Sequence, residues 1–384
     1  MLYGRMKCGL FIVFLLGFFH LDPALAADMT LVPSVRLTFE YDDNISFSRS
    51  DVRDDLILVV SPEIALSNNY ERLMLNLSAL GRISRYLENN ELDDEYYKIS
   101  LGGNYIATEK MRLGVNLSQS RDTTLDSELT ETGILTTRQN RDNTGVSFKV
   151  SYALSDLSNL DLGYSFQDVN YESYGSVDYR GESIYLNYKR NLKNAKDAIS
   201  FRPYYSQNES VVNTVDNLGF SAGYVHPFNE TWSSSVNLGA RHTTTNYYTF
   251  EDKKWGMSGN ISLDKKGINW NSNFQLSREL SYSSYGVPVE TDRLNVSYNN
   301  RISERLSSGI SGSIYFTKSE GYYSNQDTVY YVFSPRVQYK LGSNLFFSLS
   351  YTYSNSQNRL LIDNQGVDKN VFRLSLSYSY PKKK

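Results

Sequence analysis

Residues 35–44 read VRLTFEYDDN: Val35, Leu37, Phe39 and Tyr41 alternate with Arg36, Thr38 and Glu40, and the alternation stops at Asp42, Asp43 and Asn44. Successive side chains of a strand point to opposite faces, so period two predicts a strand with one apolar and one polar side. The texture recurs to the end of the chain. Leu73, Leu75, Leu77 and Ala79 carry it, then Val146, Phe148, Val150 and Tyr152, then Ile310, Gly312, Ile314 and Phe316. Leu345, Phe347, Leu349 and Tyr351 continue it, and Phe372, Leu374, Leu376, Tyr378 and Tyr380 close it. No helical stripe and no shift of composition divides the chain. About eighteen such segments, each roughly ten residues, fit tilted barrel strands.

The connections between segments sharpen this reading. Long ones (42–55, 85–95, 121–143, 170–178, 245–252, 281–290, 319–327, 356–368) alternate with short ones such as Thr108-Glu109-Lys110 and Gly342-Ser343-Asn344. Outer-membrane barrels have short periplasmic turns and longer outer loops. The expected fold is therefore all-β: a transmembrane antiparallel up-and-down β-barrel of about 18 strands (16 as the alternative), with both termini periplasmic. The chain is too hydrophilic on average for a bundle of membrane helices. A barrel escapes that test because only alternate residues need be apolar.

The first 26 residues read as a signal peptide. Arg5 and Lys7 precede an apolar run from Leu10 to Phe19, and Ala24-Leu25-Ala26 supplies small residues for cleavage between Ala26 and Ala27. The single cysteine, Cys8, leaves with it, so residues 27–384 form the barrel without thiol chemistry. At the other end, Tyr378 and Tyr380 match the paired aromatics by which outer-membrane barrels address their assembly machinery. The tail Pro381-Lys382-Lys383-Lys384 departs from that pattern.

Parity assigns the faces. Residues out of phase with the apolar set should line the lumen: Arg36, Glu40, Arg82, Lys98, Lys149, Lys189, Arg202, Arg241, Arg336, Lys340 and Arg373. Bases dominate this set, whereas the first two long loops are acidic. A basic lumen favours anionic solutes, because low-dielectric walls focus the field of fixed charges. The alternative is that these bases are neutralised by inward acids and loop carboxylates. The longest loop, 121–143, carries Asp126, Glu128 and Glu131 beside Arg138 and Arg141. It either folds inward as a constriction or stands outside as a solvated flap; the flap is slightly favoured, and the charge mixture alone does not decide.

Signals for catalysis or metal binding are weak. Only His226 and His242 remain after cleavage, far apart and without a cysteine, and His226 beside Pro227 reads as structural. Asp93-Asp94 and Asp42-Asp43-Asn44 read as loop carboxylates rather than a calcium loop. No enzyme, cofactor or nucleic-acid partner is expected, with a net charge of −3. The 32 tyrosines split into two groups. Tyr41, Tyr105, Tyr152, Tyr339, Tyr378 and Tyr380 suit interfacial girdles. Loop tyrosines such as Tyr171, Tyr174, Tyr247, Tyr248, Tyr282, Tyr285, Tyr322 and Tyr323 either pack the loops or stack on sugars.

Tyr41-Asp42-Asp43-Asn44-Ile45 and Ser61-Pro62-Glu63-Ile64 resemble the first two strands of the outer-membrane β-barrel porins found with exopolysaccharide and exosortase (PEP-CTERM) gene clusters. That resemblance implies a passive outer-membrane channel assisting exopolysaccharide secretion. It also implies periplasmic polysaccharide-export proteins as partners, with the polymer itself as cargo. It supplies no catalytic residue. A general or small-solute porin, and a plugged structural or enzymatic barrel, are the alternatives.

Overall fold

The computed structural model describes residues 28–172, 175–192, 196–319, 327–360 and 366–383. Its first nine long strands are β1 (Asp28–Asp42), β2 (Asp55–Asn69), β3 (Leu73–Tyr86), β4 (Asp94–Ile106), β5 (Met111–Thr123), β6 (Asn140–Ser155), β7 (Ser158–Tyr171), β8 (Tyr179–Asn191) and β9 (Ala198–Ser210). The next nine are β10 (Asn213–Pro227), β11 (Trp232–Tyr247), β12 (Glu251–Lys266), β13 (Trp270–Tyr282), β14 (Pro288–Arg301), β15 (Leu306–Ser319), β16 (Asp327–Lys340), β17 (Leu345–Asn358) and β18 (Val367–Ser379). Each is antiparallel to its neighbours in sequence, and β1 pairs with β18 from Ser34↔Ser379 to Asp42↔Val371. The sheet is a closed cylinder. In hydrocarbon a backbone donor or acceptor without a partner costs several kcal/mol, so a spanning sheet must close.

Directly opposed residues share a face, and the registers keep the faces pure. Leu37 lies opposite Val60 and Leu376, and Phe39 opposite Leu58 and Leu374. The apolar members are exposed on the outside: Phe39 by 48%, Phe372 by 50% and Leu374 by 43%. An apolar exterior all round a cylinder has no counterpart in a water-soluble monomer, and hydrocarbon is the solvent that matches it. No helix among the described residues is long and apolar enough to cross a membrane.

Two details differ from the sequence expectation. The strands run to 16 residues, as in β11 and β12, rather than about ten. Their polar ends continue the ladder beyond the apolar band, because ladder hydrogen bonds keep the backbone extended there. The alternation of connections also has two exceptions at the long-loop end: β9 and β10 are joined by Val211 and Val212 alone, and β11 and β12, where 245–252 reads as a long connection, by Tyr248, Thr249 and Phe250. The basic tail is not loose either, since Lys382 and Lys383 pair along β1 at Leu31 and Thr30.

Candidate functional site

The acidic stretch after β1 is a fastener for the barrel seam. Asp43 accepts from the Asn370 backbone N–H and from its side-chain amide, each at 2.6 Å. Asn44 donates to the Asp368 carbonyl at 3.1 Å, and Lys369 pairs with Asp42 at 2.6 Å. Lower in the same seam, Arg373 Nε meets Glu40 at 2.5 Å and Thr38 shares a hydroxyl hydrogen bond with Ser375 at 2.8 Å. Charge-assisted bonds are about twice as strong as neutral ones. They are concentrated where the two ends of the chain must find each other.

The loop between β5 and β6 overturns the flap reading, because it crosses the bore. Its helix α1 (Glu128–Thr132) ends at Gly133, whose φ of 73° is a left-handed cap that closes Gly133 N–H onto the Leu129 carbonyl at 2.9 Å. Glycine is needed there a second time, since a Cβ would lie 2.6 Å from Tyr315 Cβ on β15. Leu129 packs with Tyr315 and Tyr330 of the far wall and with Phe47 of the first loop. Thr291 and Thr317, from β14 and β15, both donate to the Thr132 carbonyl. Residues 128–133 thus reach a wall that is many strands away around the cylinder.

The tip of the β13–β14 hairpin comes to meet this loop. Ser284 N–H donates to Glu128 Oε1 at 2.7 Å, and Tyr171 hydroxyl donates to Glu128 Oε2 at 3.2 Å. Ile134, Val287 and Val289 form a buried cluster between the two segments. The tip continues to the opposite side: Val177 N–H bonds the Ser284 carbonyl, and Asn213 bonds the Gly286 carbonyl, at 2.7 and 2.8 Å. Gly286 has φ 70°, and a Cβ would stand 2.8 Å from Val177. Burial raises the Glu128 carboxyl above the ordinary range. The Asp126 side chain is 39% exposed; Arg82 and the Thr123 hydroxyl outweigh its partial desolvation and hold the carboxyl below its usual value.

What stays open lies along β1–β4 and β16–β18. A recess of about 160 Å³ beside the plug includes Glu40, Asp42, Arg82, Asp126, Arg138 and Lys369. Towards the short-turn end a vestibule of about 540 Å³ includes Arg36, Glu63, Arg336 and Gln338. The bases separate by depth. At the plug they are paired: Arg82 with Asp126 at 3.2 Å, Arg138 with Asp94 at 3.4 Å, and Arg141 with Glu131 and Asp122 at 2.8 and 3.1 Å. Arg241 pairs with Glu290 at 2.9 Å, and Lys149 with Asp161 at 3.2 Å. Among the described residues no ion pair is found for Arg36, Lys98, Lys189, Arg202, Arg336 or Lys340. Arg336 reaches Asn299 at 3.4 Å, and Arg202 lies 3.7 Å over the Tyr185 ring. The two electrostatic readings of the sequence therefore apply largely to different levels of one bore, the exceptions being Lys98, without an ion pair beside the plug, and Lys149, paired in the short-turn half.

The remaining candidates are scattered. His226 bonds Asp197 at 2.6 Å near the short-turn end, and His242 packs edge-on to Trp255. Asp93 accepts the Tyr86 N–H, and Asp94 takes Arg138. No cluster of three metal-ligating side chains occurs among the described residues. The six girdle tyrosines are exposed on the outer face. Of the loop tyrosines, Tyr171 and Tyr247 are buried while Tyr248 is fully exposed. Ala26, Ala27, Tyr174, Tyr322 and Tyr323 lie outside the described residues. Sequence reasoning missed Phe47, whose φ of 47° is unusual for a non-glycine residue, and the hairpin tip around Ser284. The signal for the tip was Ser283-Ser284-Tyr285-Gly286, a turn too small and apolar at Val287 for a solvated loop.

Residues 26–206 match the family model described as "Putative beta-barrel porin 2". No curated protein matches the chain. Among solved structures it is similar to Pseudomonas aeruginosa OpdK with vanillate, at 10% identity and a TM-score of 0.52, covering 93% of this chain and 100% of that one. OccK2 (OpdF) of the same organism, in complex with glucuronate, gives 10% identity and 0.52 over 93% and 99% of the two chains. A BenF-like porin from Pseudomonas fluorescens Pf-5 gives 12% and 0.53 over 93% and 100%. At these identities the likeness is one of fold. The matched family and these barrels are porins, channels rather than enzymes.

Proposed function

On the premise that this chain is a β-barrel porin of the bacterial outer membrane, we propose that it conducts small anionic solutes, carboxylates of about the size of a sugar acid. The observation that carries the reading is the division of the bore by depth. Bases without carboxylate partners line the wide vestibule, and an internally neutralised plug leaves a narrow recess beside β1–β4. A unit charge about 10 Å from the path contributes roughly 0.4 kcal/mol in water, before screening over a Debye length of about 8 Å. The two such charges in the vestibule, Arg36 and Arg336, are together worth roughly 0.8 kcal/mol, or about a fourfold preference for anions.

Barrels of the same architecture holding vanillate and glucuronate support a solute of this size and charge. Export of an exopolysaccharide, implied by the sequence resemblance, calls for α1 and the hairpin tip to leave the bore together. Their shared contacts through Glu128, Ile134 and Val287 weigh against that. In this reading the short turns and both termini face the periplasm, and the assembly machinery inserts the barrel. Reversal potentials across a KCl gradient in planar bilayers test the proposal. Chloride should be favoured about fourfold over potassium, glucuronate should reduce the current, and Arg36→Gln with Arg336→Gln should bring the ratio towards unity. Cation selectivity, or absence of current, would overturn it.

A further inference from the structure

The cylinder is closed, but one of its ladders is incomplete. β12 is paired to β11 from Glu251 to Lys265, yet its ladder to β13 runs only from Lys266↔Asn271 to Gly259↔Arg278. Beyond that point both strands continue. β13 remains paired to β14 as far as Tyr282↔Pro288, while β12 keeps its course beside β11. They diverge because the end of the β13–β14 hairpin leans inward. Tyr282 alternates with Leu276 and Phe274 on the outer face, yet its hydroxyl accepts from Asn217 of β10 at 3.0 Å and its ring lies 6.1 Å from Tyr179. The upper half of β12 therefore borders a break in the wall at the long-loop end.

One side chain spans the break. Arg241, 2% exposed, passes over Gly256, where a Cβ would stand 2.6 Å from its Cζ. Its Nη1 donates to the Met257 carbonyl at 2.8 Å, and its Nη2 donates to Glu290 of the leaning hairpin at 2.9 Å. A guanidinium thus occupies the place of ladder hydrogen bonds. Outside, Trp255 is exposed by 77%, against 42% for Phe274 and 44% for Leu276 on the fully paired part of the wall; Met257, at 66%, is matched by Leu218 of fully paired β10 at 64%. Inside, the break opens on a cavity lined by Tyr185, Arg202, Tyr204, Glu279 and Leu280. Glu279 is held by Arg293 at 3.2 Å and Arg241 by Glu290, so Arg202 is the guanidinium there with no ion pair among the described residues. An apolar flank on the membrane side and that guanidinium on the lumen side suit a molecule with a hydrocarbon tail and an anionic head.

We propose that the β12–β13 break is a lateral portal that admits a long-chain carboxylate between the bore and the surrounding membrane, with Arg202 receiving the head group and Trp255 and Met257 flanking the tail. The portal goes beyond the anion-channel reading and does not depend on it. The test uses the full chain reconstituted in vesicles with a hexadecanoate analogue bearing a photoreactive diazirine at the tail end. Labelled peptides should concentrate at least tenfold on residues 253–258 and 278–282 relative to the other lipid-facing strands. Arg202→Gln should reduce that labelling severalfold, and a methyl ester of the probe should label evenly. Even labelling by the acid itself, or labelling that Arg202→Gln leaves unchanged in a barrel of normal heat-modified mobility, would overturn the portal. Chloride selectivity measured on the same preparation separates the two proposals. Selectivity with even labelling defeats the portal alone, and focused labelling without selectivity defeats only the anion channel.

Discussion

The β1–β18 seam and the β12–β13 boundary are opposite solutions to holding neighbouring strands together. At the seam the partners are over 300 residues apart in sequence, and charged or amide side chains reinforce the ladder at Glu40–Arg373, Asp42–Lys369 and Asp43–Asn370. Between β12 and β13 a short turn already ties the strands, and the ladder stops at Gly259↔Arg278. Bringing distant segments together costs more chain entropy than closing a turn, though the cost rises only slowly with separation. The contrast suggests that reinforcement was placed where chain connectivity gives no help. Where connectivity suffices, the backbone could be spent on another task.

The largest effect expected from breaking this contrast is at the seam. Arg373→Met leaves Glu40, 7% exposed, without its cation, and removing one partner of a buried pair typically costs about 3–5 kcal/mol. Arg373 is itself about one-third exposed, so the lower end is expected. Urea unfolding in detergent, followed by heat-modified mobility, should show that loss. Arg241→Met at the other boundary should cost less, about 1–3 kcal/mol, because Glu290 keeps Arg278 at 3.6 Å and the turn keeps the strands together.

The next effect is at the plug. Gly133→Val forces a β-branched residue into a left-handed cap against Tyr315, at a cost of about 1–3 kcal/mol. The loop should undock, and single-channel conductance should rise by about twofold or more without loss of barrel stability. Gly286→Val sharpens the comparison more directly. With the hairpin tip released from Val177, β13 is free to return to the wall, and amide exchange along residues 253–258 of β12 should slow by about tenfold.

The smallest effect is a pH response. Glu128 has its pKa raised in the docked state, so it favours docking while protonated and loses that contribution as pH rises through the raised value. Asp126 has the opposite sign: its contribution is present above the ordinary carboxylate range and is lost as pH falls below it. Between pH 8 and pH 5, where Asp126 stays ionised, acidification should lengthen dwell times in the docked, lower-conductance level through Glu128 alone. Glu128→Gln should abolish that dependence in single-channel records.

The alternation around Leu37 and Phe39 was legible because it reports a local rule. In an extended chain, side-chain direction depends on position parity and on nothing distant. The same rule placed Arg36, Arg336 and Arg373 on the inner wall. It could not say that Arg373 is neutralised while Arg36 is not, since that depends on which acid a register brings opposite. Nor could it orient the 121–143 loop. Asp126, Glu128, Glu131, Arg138 and Arg141 make as good a solvated surface as a docked one, and the residues that bury Glu128 stand 43 and 156 positions away.

By itself, then, the order of residues determined a cylinder of strands with an apolar outside and a polar inside, because each position there answers only to its solvent. Tertiary structure alone decided that two loops meet across the bore and that Arg241 bridges a gap in the wall. Those outcomes rest on contacts between segments far apart in the chain, and no local period encodes them.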